Sequence, residues 1–238
     1  MNKEIENKKE KLKNEEKHDF ASLLNLVEIL RGEGGCPWDA EQTHRSIRSD
    51  LIEETYEVVE AIDNDDPVLL REELGDVLFQ VVFHSQIERE NGGFTMDDVI
   101  DEICNKMICR HPHVFGNVEV DGSGEVLENW EKIKKVEKSR LTLRQTLSAV
   151  PKQYPALLRA KKVIKKARKN GCSFGDEADI TAKMSENIAA LSDASPDERS
   201  KLLTDIIFDA VILSGDEADV EKNVSEKINN FIERCPEE

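Results

Sequence analysis

Two consecutive stretches, DLIEETYEVVEAI (50–62) and REELGDVLFQVVFH (71–84), carry apolar residues at helical spacing with acidic residues set against them. A helix turns about 100° per residue. That rotation puts Glu54 and Glu57 on one face, bordering Leu51, Val58 and Ile62, while Glu60 points further away. In the second stretch Glu73 and Asp76 share a face with Leu69 and Val77. Residues three apart on a helix have Cβ atoms about 5–6 Å apart. An acid on the outer face of a helix needs no partner, and a single ExxE in a chain with 50 acids is ordinarily such a face. Two acid pairs bordering apolar stripes are different, because only a short Asn-Asp-Asp-Pro turn separates the helices. The expected antiparallel pair brings Glu54 and Glu57 opposite Glu73 and Asp76, with Gly75 expected to allow close helix approach. Four carboxylates gathered without a cation repel and raise each other's pKa values. A hard divalent ion relieves that repulsion. Mg²⁺ takes about six oxygens and usually keeps waters and phosphate oxygens among them.

The rest of the chain reads as further helices. DFASLLNLVEILR (19–31) has helical spacing, and GEGGCPWDAEQTH breaks it with Gly34, Gly35 and Pro37. Pro67 sits at the favoured first turn of the helix that runs to about Glu90, and Asn91-Gly92-Gly93 ends it. Thr95 is placed to cap MDDVIDEICNKMICRH. A glycine-rich acidic stretch (NVEVDGSGEVLENW) then leads to a lysine-rich helix around Trp130–Arg140. Strand signals are confined to short pieces such as NVEV, so the expected fold is all-α.

Composition narrows the function classes. A net charge of -17 disfavours nucleic-acid binding, which needs clustered Lys and Arg. Any anionic substrate must then meet a metal or a local basic cluster. The five cysteines form no CxxC pair, which argues for reduced thiols and a cytoplasmic protein. The opening MNKEIENKKEKLKNEEKHDF has no apolar core, so it is not a signal peptide, and no apolar run is long enough for a membrane span.

Taken together, GGCPWDAEQTH, LIEETYEVVEAI, LREELGDVLFQVVFHSQ, KMICRHPHVFG and NWEKIK resemble the MazG family of nucleotide pyrophosphohydrolases. The resemblance covers nearly all of 20–138. It implies hydrolysis of nucleoside triphosphates to monophosphate and pyrophosphate, an all-α architecture and a homodimer. It also implies Mg²⁺, with Mn²⁺ as a substitute, held by Glu54, Glu57, Glu73 and Asp76. Glu53 is adjacent and suited to orient or deprotonate the attacking water. The family pattern sets Lys106 and Arg110 against the phosphates and Trp130 against the nucleoside. Read alone, a Lys/Arg pair is a solvated face and a lone Trp is partial core. The alternative function is a nucleotide-binding or regulatory helical dimer that does not hydrolyse. His111 and His113, split by Pro112, suit a structural or dimer-contact role better than metal ligation. Cys36 and Trp38 cap a base pocket or plug the core, and Cys104 and Cys109 read as packing residues.

A second half repeats the first. GGCPWD (34–39) is echoed by NGCSFGD (170–176), and LGDVLFQVVF (74–83) by LTDIIFDAVI (203–212). The expected organisation is a charged N-terminal arm (1–18), a catalytic MazG-like domain (19–140), a linker with Pro151 and Pro155 (141–156) and a degenerate MazG-like domain (157–238). In the repeat Glu186 stands at the place of Glu54, Ala189 at Glu57, Leu202 at Glu73 and Asp205 at Asp76. Lys227 matches Lys106, but Phe231 replaces Arg110. The second copy is therefore expected to be catalytically dead and to serve packing, dimerisation or regulation.

Overall fold

Capping residues set where the helices start. In the computed structural model, which describes residues 3–137 and 142–236, Asp19 accepts from the Ser22 amide at 2.9 Å and opens α2 (Phe20–Arg31). Asp66 accepts from the amides of Val68 and Leu69 and opens α5 (Pro67–Glu90), with Pro67 in the first turn. Thr95 and Asp98 form a capping box at the start of α6 (Met96–Arg110). Between α2 and α5 lie α3 (Pro37–Glu41) and α4 (Arg48–Asp63). Beyond α6 come α7 (Pro112–Phe115) and α8 (Ser123–Glu137). All regular elements among the described residues are helices, as the periodicity predicts. None is long and apolar enough to cross a membrane.

The chain divides into two compact units, Met1–Trp130 and Glu131–Glu238, with the division inside α8. The expected domain end at 140 and linker start at 141 lie outside the described residues.

In the first unit α4 and α5 are the most extensively packed pair. Asp65, in the turn between them, has a left-handed φ of 51°, which Asp tolerates better than most residues. The core is Val27 of α2, Ile47 ahead of α4, and Val82, Phe83 and Ile87 of α5. Arg31, at the end of α2, ties the α3–α4 loop to this core. It donates to the carbonyls of Asp39 (2.6 Å) and Gln42 (3.1 Å), pairs with Glu90 (2.7 Å), and lies over the Phe83 ring. A second tie runs from the loop to α5 through His44. Its Nδ1 meets His84 Nδ1 at 2.7 Å and its Nε2 meets Glu88 Oε1 at 2.7 Å.

Several details differ from the sequence expectation. The charged N-terminal segment, read as a solvated helix or arm, forms a helix, α1 (Lys3–Asn14), but one that packs on α2 and pairs Lys8 with Glu28 at 2.6 Å rather than standing free in solvent. The helix carrying Trp130 starts at Ser123, inside the stretch read as glycine-rich. Gly122 turns the chain there, and Val126, Leu127 and Trp130 then recur at helical spacing. Cys104 and Cys109, read as packing residues, are exposed, because α6 buries none of its residues. Gly75 is also exposed, and a Cβ there would meet nothing within 4 Å, so close helix approach does not depend on it.

The second unit contains α9 (Leu143–Ser148), α10 (Ala156–Lys169), α11 (Glu177–Ala190), α12 (Pro196–Leu213) and α13 (Val220–Ile232). Part of the expected linker is thus the capped helix α9, packed on α10. The core of this unit is Ile164, Ile180, Val211 and Ile212. The duplication shows in its joints. Arg168 ends α10 as Arg31 ends α2, donates to the Ile212 carbonyl at 2.6 Å, and lies over the Phe174 ring. The Cys172 amide closes onto Ala167 as the Cys36 amide closes onto Leu30.

Arg31→Leu strands two loop carbonyls and the Glu90 carboxylate together. It is expected to cost about 2–4 kcal/mol in urea unfolding; a loss below about 0.5 kcal/mol would show that the tie does not hold the loop.

Candidate active site

The α4/α5 hairpin brings its inner acids together. One carboxylate oxygen from each of Glu54, Glu57 and Glu73 lies within 4.8 Å of the others. Glu73 is only 8% exposed. Asp76, the fourth expected ligand, is exposed and lies outside this group, although its charge acts on both Glu54 and Glu73. Burial, then hydrogen bonding to Glu57 and the charges of Asp76, Glu57 and Glu73, push the Glu54 pKa up to about 7. Burial and the charges of Glu57 and Asp76 also raise Glu73. Among the described residues no Lys, Arg or His forms an ion pair with these four acids. An all-oxygen donor set, partly buried and lacking a basic partner, fits a hard divalent cation.

Glu53 is on the outer side of α4. It lines a cleft of about 630 Å³ with Arg45, Arg48, Ser49, Ile52, Tyr56, Glu57 and Glu60. Neither Arg45 nor Arg48 makes a hydrogen bond or ion pair among the described residues. Sequence reasoning passed over these two arginines. Their signal was HRSIRSD, two cations three apart directly ahead of the acidic helix.

The structure treats the other candidates separately. Lys106 pairs with Glu102 on its own helix at 3.4 Å and lines a recess with Val81, Phe94 and Ile103. Arg110, one turn further along α6, lies over the Trp130 ring at 5.8 Å from its centroid, so those two are brought together. His111 ends α6 with Nδ1 2.6 Å from the Met107 carbonyl, a local structural bond. Trp38 is 63% exposed and does not plug the core.

The sign of the pH dependence follows from Glu54. Its folded pKa of about 7 exceeds the ordinary 4.5, so the folded state holds a proton that the unfolded chain releases. That contribution to stability is fully present below pH 4.5 and is lost as pH rises through 7. In EDTA, the urea midpoint is expected to fall between pH 5 and pH 7.5, and Glu54→Gln to flatten that slope. Equal slopes for the two proteins would contradict the clustering. Gly75→Ala adds a Cβ into open space in a helix and is expected to raise stability by about 0.5–1 kcal/mol. A fall in melting temperature would mean that Gly75 serves an undetected close contact.

Comparison with known proteins places this geometry among relatives. Residues 42–115 match the family model described as the MazG nucleotide pyrophosphohydrolase domain. The chain is 39% identical over 217 residues to the nucleoside triphosphate pyrophosphohydrolase/pyrophosphatase MazG of Thermotoga maritima, covering 90% of this chain and 83% of that protein. It is 42% identical over 167 residues to the nucleoside triphosphate pyrophosphohydrolase of Escherichia coli K12, covering 70% of this chain and 64% of that protein. It is also 50% identical over 148 residues to the uncharacterized protein YabN of Bacillus subtilis, of which it spans only 30%.

Proposed function

The chain belongs to the MazG family of nucleotide pyrophosphohydrolases, and from this we propose that it hydrolyses nucleoside triphosphates to monophosphate and pyrophosphate at the α4/α5 carboxylates, with Mg²⁺ as cofactor and Mn²⁺ as a substitute. The observation that carries the reading is the convergence of Glu54, Glu57 and Glu73 from two helices without a basic partner. Asp76 completes the ligand set from the next turn of α5. When bound, the divalent cation supplies charge neutralisation for the triphosphate and lowers the pKa of water.

The chain's own residues supply the rest. Water attacks the α-phosphorus, the α–β anhydride bond breaks, and pyrophosphate leaves. Glu53, beside the ligands and open to the cleft, orients the water and takes its proton. Lys106 and Arg110 lie on one face of α6, suited to a phosphate chain, and the Trp130 ring beside Arg110 stacks on the base. Arg45 and Arg48 add two uncommitted cations at the mouth of the cleft. The protein acts as a homodimer in the cytoplasm. Large apolar side chains exposed on α4, α5 and α6, among them Ile52, Tyr56, Leu74, Leu78 and Ile103, support self-association. The five unpaired cysteines agree with a reducing compartment.

A panel of ribo- and deoxyribonucleoside triphosphates assayed for pyrophosphate against phosphate tests the reaction directly, and pyrophosphate is the expected product. Chelation is expected to abolish turnover. Glu73→Ala should abolish it, since removing a ligand costs more than the roughly 10–100-fold lost with an outer-shell partner, while Asp205→Ala leaves it nearly intact. Full activity in Glu73→Ala, or its loss in Asp205→Ala, would move the active site out of the first unit.

A further inference from the structure

The second unit repeats the α4/α5 pair as α11/α12. Its long helix aligns without a gap from the opening proline: Pro67 with Pro196, Glu73 with Leu202, Asp76 with Asp205, and the buried Val82 and Phe83 with the buried Val211 and Ile212. With Ala189 standing for Glu57 on α11, two carboxylates of the first site are missing. Among the described residues no group of three metal-ligating side chains gathers on α11 and α12. A divalent metal does not fit there.

Buried charge has nevertheless not left this pair. Asp209 stands where the first unit has the uncharged Gln80, one turn beyond Asp205, and it is only 5% exposed. Lys183, at the place of Leu51, reaches across from α11. Its Nζ lies 2.9 Å from one Asp209 oxygen and 3.3 Å from the other. Hydrogen bonding and attraction to Asp209, with a smaller attraction to Asp205, hold this ammonium above its ordinary lysine range. The lysine–aspartate rung therefore occurs in the copy that has lost two ligand carboxylates and is absent from the copy that keeps them.

We infer that Lys183 is a tethered cation that takes over charge balance on the inner face of the second unit: its ammonium bridges α11 to Asp209 on α12, one turn beyond Asp205, and the unit is complete without a divalent ion and binds none. A carboxylate as buried as Asp209 is costly without a cation beside it. An ammonium on a flexible stem supplies that charge permanently, and chelators cannot remove it. The substitution turns a ligand site into a fixed cross-link between two helices. This rests on the reading of the α4/α5 acids as a metal site only for its comparison.

Amide hydrogen exchange of the full chain, with Mn²⁺ or with EDTA, separates the two statements. Mn²⁺ is expected to raise protection in α4 and α5 and to leave α11 and α12 unchanged. Lys183→Met should lower protection in α11 and α12 by roughly tenfold while α4 and α5 keep theirs, since the half-exposed lysine weakens the effect of breaking the pair. Lys183→Arg, which keeps the cation, should retain protection. Asp209→Asn added to Lys183→Met should recover part of that loss, because it removes the buried charge left without a cation. If Lys183→Met fails to fold, Asp209→Asn alone makes the same test with a milder loss confined to α11 and α12. Mn²⁺-dependent protection of α11 and α12, or unchanged protection there in both Lys183→Met and Asp209→Asn, would overturn the inference. Absence of a Mn²⁺ response in α4 and α5 would instead overturn the first unit's metal site and leave the Lys183 result standing.

Discussion

Repulsion among carboxylates held on the inner side of a helix pair is the constraint on which the first unit turns. Glu54, Glu57 and Glu73 are fixed on α4 and α5 by the same periodicity that buries Ala61, Val82 and Phe83. The helices cannot pack without gathering the acids, and the acids cannot all stay ionised at neutral pH without a cation. The packing that stabilises the unit thus also creates a demand for positive charge. The Glu54 pKa, pushed up to about 7 by burial and by the neighbouring carboxylates, reflects that demand.

The supporting elements keep the hairpin in register. Arg31 and His44 anchor the α3–α4 loop to α5 from two directions, and Ile47 enters the core between them. The start of α4 is therefore fixed at both its apolar and its polar side. Arg45, Arg48 and Glu53 are carried on this anchored stretch, which sets the cleft beside the inner acids. The second unit keeps the equivalent scaffold, with Arg168 and Cys172 at the same joints, while its inner face has changed chemistry. Fold and site have separated in the duplicate because the core needs only apolar volume at the positions of Val211 and Ile212, whereas the proposed metal site needs each carboxylate.

Much of the fold was legible in the chain because its signals are local. Asp66-Pro67 and Thr95 with Asp98 cap helices through contacts within a few residues, and the apolar stripes recur at the helical period. The acids were legible for a related reason, since two ExxE-type pairs across a short turn can face each other in only one hairpin geometry. Gly75 misled because a glycine between two ligands suggests close approach, yet its missing Cβ faces solvent. Cys104 and Cys109 were read as packing residues, yet α6 leaves both of them and most of its apolar residues exposed.

By itself the sequence determined the long helices, the caps of α5 and α6, the duplication and the identity of the clustered acids, all of which follow from chain-local geometry or residue type. Only the tertiary structure decided that three of those acids meet within 4.8 Å with no basic partner among the described residues, and that Arg31 spans from α2 to the loop and α5. It also decided that Lys183 closes on Asp209 where the second copy of the site has eroded. Apart from Glu54 and Glu57 on one helix, these are contacts between residues 8 to 59 positions apart. Whether charges at such separations meet, and with what partners, depends on how helices pack rather than on where the residues fall along the chain.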